Sequence, residues 1–416
     1  MENVATLDVP VSNFLTGFVQ KKGVEKMLRT IRRYLGMDVA FISNFRDDMR
    51  LFVTVDAQST PPIQSGSSLP IDDGYCMKVV NGSLPRLIVD AAAHPVAREL
   101  PATAAIPIGS HLSVPIRLES GEVYGTLCCF SYKPDFSLGE RDLRILSAFA
   151  EVIAERLDEN MSAARERNTQ AAEIQNVMAG GAPRIVYQPI FEVRSGCIAG
   201  VECLSRFDAQ PARSPDAWFR NAVQVGMGVD LEMHCIAKAI DALASLPQNA
   251  FIALNASPET IMSGRLLPVL EPLDLRRIVL EVTEHATVSD YDKLEDELAA
   301  LRAGGIQLAV DDAGAGYASM RHILHLKPEV IKLDMSLTSG IDHDLGKRAL
   351  ARGLISFAKE IGTQITAEGV ETQAELDLLT YLGVDKVQGY LLGRPVSLQE
   401  VFAGRPGGAF DAAMRP

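Results

Sequence analysis

The sequence predicts an α/β protein in two folded parts, an N-terminal α+β module followed by a (β/α)8 TIM-like barrel. Three observations lead there. The 416 residues exceed one ordinary domain of ~100–200 residues. Between Gly23 and Glu159, apolar strand-like runs lie between two amphipathic helical segments. After Pro183, short apolar runs alternate with longer helical stretches, and the runs number eight, the count that closes such a barrel.

Composition agrees with a folded chain, since 47% apolar and 22% charged residues is the balance of a soluble globular protein. The formal charge of −13 argues against broad contact with DNA or other nucleic-acid backbone, which needs surplus Lys and Arg. A small phosphate ligand would then need metal ions for its positive charge. Six cysteines (Cys76, Cys128, Cys129, Cys197, Cys203 and Cys235) show no C-x-x-C spacing, so reduced thiols in a cytoplasmic protein are expected. The opening MENVATLDVPVSNFL has neither a basic nor an apolar targeting region, and no run nears the ~20 apolar residues of a membrane span.

The first module opens on an amphipathic helix from Val24 to Leu35. Its closing helix is expected from Ser137, which can cap with Glu140 three residues on, and Leu143, Leu146, Phe149, Ile153 and Leu157 form its buried stripe. The helical pattern continues through Met161 and Ala164–Ala172 to Ile174 and Val177, and stops at Gly180-Gly181. This stretch, residues 159–182, reads either as a signalling helix or as a plain linker. Ile108-Gly109-Ser110-His111-Leu112-Ser113-Val114-Pro115-Ile116 and Gly125-Thr126-Leu127-Cys128 form a hairpin turned at Glu119-Ser120-Gly121. With the closing helix, this resembles a GAF domain over residues 13–158, which implies a sensor of small ligands or a dimerisation unit. Cys76, in Asp73-Gly74-Tyr75-Cys76, could be an attachment or redox point; the preferred reading is ordinary core, buried by a helix beginning near Tyr75.

The eight strands of the second part, over residues 183–410, are Ile185–Ile190, Ala199–Phe207, Phe251–Asn255, Ile278–Thr283, Gln307–Asp312, Val330–Asp334, Gln364–Glu368 and Lys386–Leu391. Nearly every residue here that could do chemistry lies on one of them or just past its C-terminal end: Glu202, Arg206, Asn255, Glu281, Glu284, Asp311, Asp312, Lys332, Glu368, Glu371 and Gln388. Barrels build active sites at that rim. Glu202, Glu281, Asp311, Asp312 and Glu368 together would repel one another unless cations sat among them. Carboxylates with one amide suit Mg²⁺ or Mn²⁺ rather than zinc, and Asp311-Asp312 is the natural bridge between two ions. Two divalent cations ~3.5–4 Å apart can hold a phosphodiester and activate water, so phosphodiester hydrolysis is the expected chemistry.

Val201-Glu202-Cys203-Leu204-Ser205-Arg206 resembles the E-A-L-x-R signature of EAL-domain cyclic di-GMP phosphodiesterases. Tyr187-Gln188-Pro189-Ile190, Asn255-Ala256-Ser257, Glu281-Val282-Thr283-Glu284, Asp311-Asp312, Lys332-Leu333-Asp334, Glu368-Gly369-Val370-Glu371 and Gln388-Gly389-Tyr390 resemble that family's other motifs, in its order. The resemblance implies that Glu202, Asn255, Glu281, Asp311, Asp312 and Glu368 hold the metals, with Lys332, Glu368 and Glu202 catalytic and Lys332 holding the attacking water. It further implies that Gln188, Leu204, Arg206 and Gln388 meet the nucleotide, that Glu284 steadies the loop after the fifth strand, and that Glu371 supports the site from outside. The implied reaction is cyclic di-GMP plus water giving linear pGpG, in a homodimer controlled by an unidentified signal at the GAF-like module.

The chain departs from the family pattern at Cys203, where the signature has Ala, and at Ala313, where a large aromatic usually follows the paired aspartates. The second change leaves a catalytically impaired cyclic di-GMP receptor as the alternative reading. Cys203 is expected as a buried thiol, His322 and His325 as exposed helix residues, and Trp218 with Phe219 as a helix packed on the barrel. No G-G-D-E-F motif of cyclic di-GMP synthesis occurs in the chain.

Overall fold

The computed structural model describes residues 21–282, 290–313 and 317–403, and the chain divides into two compact units after Glu166. The first contains α1 (Lys21–Tyr34), β1 (Val39–Arg46), β2 (Met49–Ala57), β3 (Ser68–Pro70), α2 (Tyr75–Val80), β4 (Leu87–Ile88), β5 (Ser110–Arg117) and β6 (Val123–Ser131), and α3 (Glu140–Ala179) begins in it. Its strands form one antiparallel sheet in the order β3-β2-β1-β6-β5-β4. Strand alternation sends Ala40, Ile42, Leu112, Val114, Leu127 and Cys129 to one face, where Leu28 and Ile31 of α1 and Leu146 and Ile153 of α3 cover them. Val39, Phe41, Cys128 and Phe130 point to the other face, against Tyr75, Cys76 and Val79 of α2.

The expected start of the closing helix needs correction. Helix α3 begins at Glu140, because the Ser137 hydroxyl is taken up by Asp135 Oδ1 (2.6 Å) and the carboxylate of Asp142 accepts the Gly139 N–H (3.0 Å). The buried stripe falls where its spacing placed it, with Leu146, Ile153 and Leu157 buried and Leu143 and Phe149 partly so. The helix runs unbroken to Ala179, and its final turns bury Ile174 and Val177 beside Phe207 and Trp218 in the second unit.

The second unit is a closed barrel of β7 (Arg184–Glu192), β8 (Ile198–Arg206), β9 (Phe251–Ala256), β10 (Ile278–Val282), β11 (Gln307–Ala313), β12 (Val330–Leu333), β13 (Gln364–Ala367) and β14 (Lys386–Val387). All eight expected strands are present, but β7 runs antiparallel to both β8 and β14. The short β7–β8 link cannot hold the crossover of a dozen or more residues that a parallel pair requires, so the chain makes a hairpin instead. β14 is shorter than the expected Lys386–Leu391, because the chain turns at Gly389 and the Val370 N–H pairs with Gln388 O.

The barrel interior is layered with the period of two that strands impose. Ile190, Ala253, Val279, Ala309 and Val330 form an apolar floor. Two residues further along each parallel strand stand Asn255, Glu281, Asp311 and Lys332, and two residues back along the reversed β7 stands Gln188, paired in register with Glu202 of β8. The polar layer is therefore the next turn of the pleat above a dry floor.

Gly389 allows the turn after β14, since a Cβ there would collide with backbone atoms of Val370. Gly389→Ala should therefore lower the barrel's unfolding free energy by ~1–3 kcal/mol, the usual cost of overpacking, seen as an earlier midpoint in chemical denaturation.

Candidate active site

At the centre of the polar layer is the Lys332 ammonium, 2% exposed. It lies 2.5 Å from Glu368 Oε1, 2.8 Å from Glu281 Oε2, 3.4 Å from Asp311 Oδ1 and 3.8 Å from Glu202 Oε1. Glu202 accepts further hydrogen bonds from Gln388 Nε2 (2.6 Å) and Asn255 Nδ2 (3.3 Å). Gln388 Nε2 also donates to Gln188 Oε1 (3.2 Å), and Gln188 Nε2 donates to Gly393 O (3.1 Å). Eight of the expected site residues thus meet in one network supplied by all the strands of the barrel or the residues that follow them.

The charges in this network do not cancel. Burial opposes the charge on Lys332, but Asp311, Glu202, Glu281 and Glu368 overcome it and raise its pKa well above the ordinary lysine value. Burial also pushes Glu281 up, against the pull of Lys332 and reinforced by the neighbouring carboxylates. Glu368 is carried to about 8 by burial, the attraction of Lys332 being offset by Asp311 and Glu202. For Glu202, burial is outweighed by Lys332, Gln388 and Asn255, and its carboxyl lies below the ordinary value. One ammonium is insufficient for four carboxylates, which compete for protons in place of a cation.

Leu204 and Arg206 line a cleft of about 870 Å³ together with Glu202, Asn255 and Phe219. Arg206 is half-buried and donates to Ser205 O (2.9 Å). Asp311 and Asp312 both lie on β11, but the Asp312 side chain is outside the described residues, as is the whole of Glu284. Glu371 is exposed, and its backbone N–H donates to Glu375 Oε2 (2.9 Å). Glu375 is the buried support in this loop: it also accepts the N–H groups of Thr372 (2.9 Å) and Gly340 (2.7 Å), closing a capping box on the helix α4 (Gln373–Leu382). The spacing Thr372-x-x-Glu375 is a legible signal that the sequence reading passed over. Glu232, which accepts the N–H and hydroxyl of Ser257 (2.8 and 2.9 Å) behind Asn255, had no such signal.

Cys203 is buried as expected. Trp218 is fully buried against Phe207, while Phe219 turns toward the cleft. His325 is exposed and stacks on Tyr291, but His322 is 4% exposed and its Nδ1 lies 3.0 Å from Tyr291 Oη, which corrects the expectation of an exposed residue. Its position on the inner side of its helix, with a phenol in reach, explains the burial.

Among the described residues no three His, Cys, Asp or Glu side chains stand as a ready-formed metal cluster; the Lys332 nitrogen holds the centre. The donor set nevertheless suits hard divalent ions. It consists of carboxylate and amide oxygens, its negative charge exceeds its positive, and the buried Gln388 Oε1 has no hydrogen-bond partner among the described residues.

A ring of carboxylates inside a closed eight-stranded barrel with one reversed strand defines the class of the second unit: the chain belongs to the EAL domain family, whose model matches residues 171–395. Residues 24–158 match the GAF domain model, so the first unit is a GAF domain. Among its relatives is the probable cyclic di-GMP phosphodiesterase PdeG of Escherichia coli K12, 32% identical over 226 residues that make up 51% of this chain and 44% of the relative. Another is the bifunctional diguanylate cyclase/cyclic di-GMP phosphodiesterase MucR of Pseudomonas aeruginosa, 29% identical over 52% of this chain and 33% of the relative. The solved structure of the PaMucR phosphodiesterase in complex with c-di-GMP is 26% identical, with a TM-score of 0.51, and covers 56% of this chain and 99% of that one. The chain spans less than half the length of these curated relatives. No helix among the described residues is long and apolar enough to cross a membrane.

Lys332→Met would leave four carboxylates, two of them buried and two partly so, without their ammonium. In EDTA this variant should lose ~3–5 kcal/mol of unfolding free energy in chemical denaturation, the usual cost of removing one partner from a buried ion pair.

Proposed function

We propose that this protein is a cyclic di-GMP phosphodiesterase that hydrolyses its substrate to linear pGpG with two divalent cations, Mg²⁺ or Mn²⁺. The observation that carries the reading is the convergence of Glu202, Glu281, Asp311 and Glu368 on Lys332, with Asn255 hydrogen-bonded to Glu202, at the barrel's interior. Membership of the EAL domain family and the phosphodiesterase names of its relatives support it.

In this reading Glu202, Asn255, Glu281, Asp311, Asp312 and Glu368 hold the cations. When bound, these supply Lewis-acid charge to the phosphodiester and lower the pKa of water. Lys332, kept protonated by its carboxylate neighbours, donates hydrogen bonds to the attacking water and fixes its position. Glu368 is the carboxylate beside that ammonium and is assigned to receive the water's proton. Gln188 and Gln388 present amides at one side of the site, while Leu204 and Arg206 line the cleft in which the nucleotide would lie, with the guanidinium available to a phosphate. Glu284 and Glu371 are assigned to the support of the loops around the site. The GAF domain is proposed to regulate the barrel in response to a small molecule or protein, in a cytoplasmic homodimer.

Incubation of the purified chain with cyclic di-GMP and Mg²⁺ or Mn²⁺ should release pGpG, resolved by chromatography, and EDTA should stop it. Glu202→Ala should reduce turnover at least ~100-fold while far-UV circular dichroism stays unchanged. Tight cyclic di-GMP binding without product under both metals would instead make the protein a receptor.

A further inference from the structure

The cysteine that the sequence presented as ordinary core does not have an ordinary environment. Cys76 Sγ lies 3.6 Å from Cys128 Sγ, within hydrogen-bond distance, and accepts a hydrogen bond from Arg50 Nη1 (3.5 Å). Cys128 Sγ is itself 3.1 Å from both Ser113 Oγ and Thr126 Oγ1, and Thr126 Oγ1 is 2.8 Å from Ser43 Oγ. A continuous polar chain therefore runs through the buried face of the GAF sheet, from Ser43 to the Arg50 guanidinium, among the aromatic side chains Phe41, Phe52 and Phe130. Polar atoms placed this deep are costly unless they are used or fully paired.

Arg50 is 4% exposed and, among the described residues, has no carboxylate partner. Its guanidinium lies over the Phe52 ring, 4.8 Å from the centroid, and its Nε has no hydrogen-bond partner among the described residues. Cys76 and Arg50 line a cavity of about 150 Å³, several times the ~30 Å³ that a water occupies in the liquid. His111, whose Nδ1 is also buried without a partner among the described residues, lines the same cavity and packs at a tilt beside Tyr75. The cavity thus joins a paired thiol, a buried guanidinium and, among the described residues, two buried polar atoms without a hydrogen-bond partner.

We propose that Cys76 and Cys128 form a redox pair, which a small peroxide admitted to this cavity converts to a disulfide. The Cys76 thiolate attacks one peroxide oxygen and breaks the O–O bond; with one proton taken up, hydrogen peroxide gives Cys76 sulfenic acid and water. Cys128 then attacks that sulfur, the S–O bond breaks, and the departing hydroxide takes the Cys128 proton as a second water. The two cysteines lose two electrons and the peroxide gains them. The sulfur atoms must close from 3.6 Å to the bonded distance of about 2.05 Å.

The electrostatics agree with the geometry. Burial disfavours the Cys76 thiolate, but the hydrogen bond from Cys128 and the charge of Arg50 outweigh it and bring the thiol down to about 5. Burial and the neighbouring Cys76 hold Cys128 well above the ordinary value, so it keeps the proton it donates. The other titratable groups on this cavity are Asp73, Tyr75 and His111, and burial followed by the Arg50 charge keeps His111 neutral, its pKa near 3. By contrast Cys129, one residue on and facing the helices, is pushed up to about 12 by burial, which the charge of Arg32 only partly offsets.

The test treats the full reduced chain with equimolar hydrogen peroxide at pH 7, followed by alkylation and peptide mass spectrometry. The expected result is a Cys76–Cys128 linked peptide, reversed by dithiothreitol, with Cys129, Cys203 and Cys235 recovered as thiols. Cys128→Ser should instead accumulate Cys76 sulfenic acid trapped by dimedone, and Arg50→Met should slow Cys76 oxidation at least about tenfold by reducing its thiolate fraction. Recovery of Cys76 and Cys128 as thiols in the wild-type chain, with native circular dichroism and Cys197 oxidised in the same sample, would overturn the proposal. The wild-type arm needs no variant to fold, and its readout is independent of any phosphodiester hydrolysis.

Discussion

The barrel is organised around one electrostatic constraint: an ammonium buried among four carboxylates has to be balanced where it stands, because burial keeps bulk solvent from it. Lys332 is 2% exposed, and each of its partners arrives on a different strand or, for Glu368, directly after one. Closure of the barrel fixes the register of those strands, and the register fixes the distances. The surplus of negative charge that remains is what makes the site suited to divalent cations, since neither protonation of Glu281 nor that of Glu368 satisfies all the oxygens present.

The floor beneath this layer explains how so polar a centre is tolerated. Small and branched apolar residues, Ala253, Ala309, Val279 and Val330, fill the barrel below the site, while the outward faces of the same strands carry the large aliphatic core shared with the helices. The reversed β7 joins the same layering. Because side chains alternate along either direction of a strand, a hairpin can bring Gln188 to the level of Glu202 as well as a crossover could. The supports lie one step further out, with Glu375 collecting three backbone N–H groups and Glu232 securing the turn after β9 through Ser257.

In the GAF domain the same alternation separates two adjacent cysteines into unlike environments. Cys129 enters the packed helical face, and Cys128 enters the face with Arg50, Cys76 and the cavity. The polar chain from Ser43 through Thr126 to the two thiols occupies alternate positions of β1 and β6 that would otherwise carry hydrophobic side chains.

The two-part organisation, the eight strands, the buried stripe of α3 and the residue types of the site can be read along the chain alone, because strand and helix periods and the rim position of polar residues are local properties. Glu202, Asn255, Glu281, Asp311, Lys332, Glu368 and Gln388 were legible as a set for that reason, and Gln188 through the resemblance of its motif to the EAL family. Only the tertiary structure decided which carboxylates touch Lys332, the reversal of β7, the start of α3 at Glu140, the burial of His322 by Tyr291 and the support from Glu232. It also decided the partners of Cys76. Arg50 and Cys128 lie 26 and 52 residues away in the chain, and only sheet pairing and the docking of α2 bring them within reach of one another. Periodicity tells a side chain which face to take; the partner it finds there depends on strands and loops remote in sequence, and burial then fixes the charge that pairing must balance.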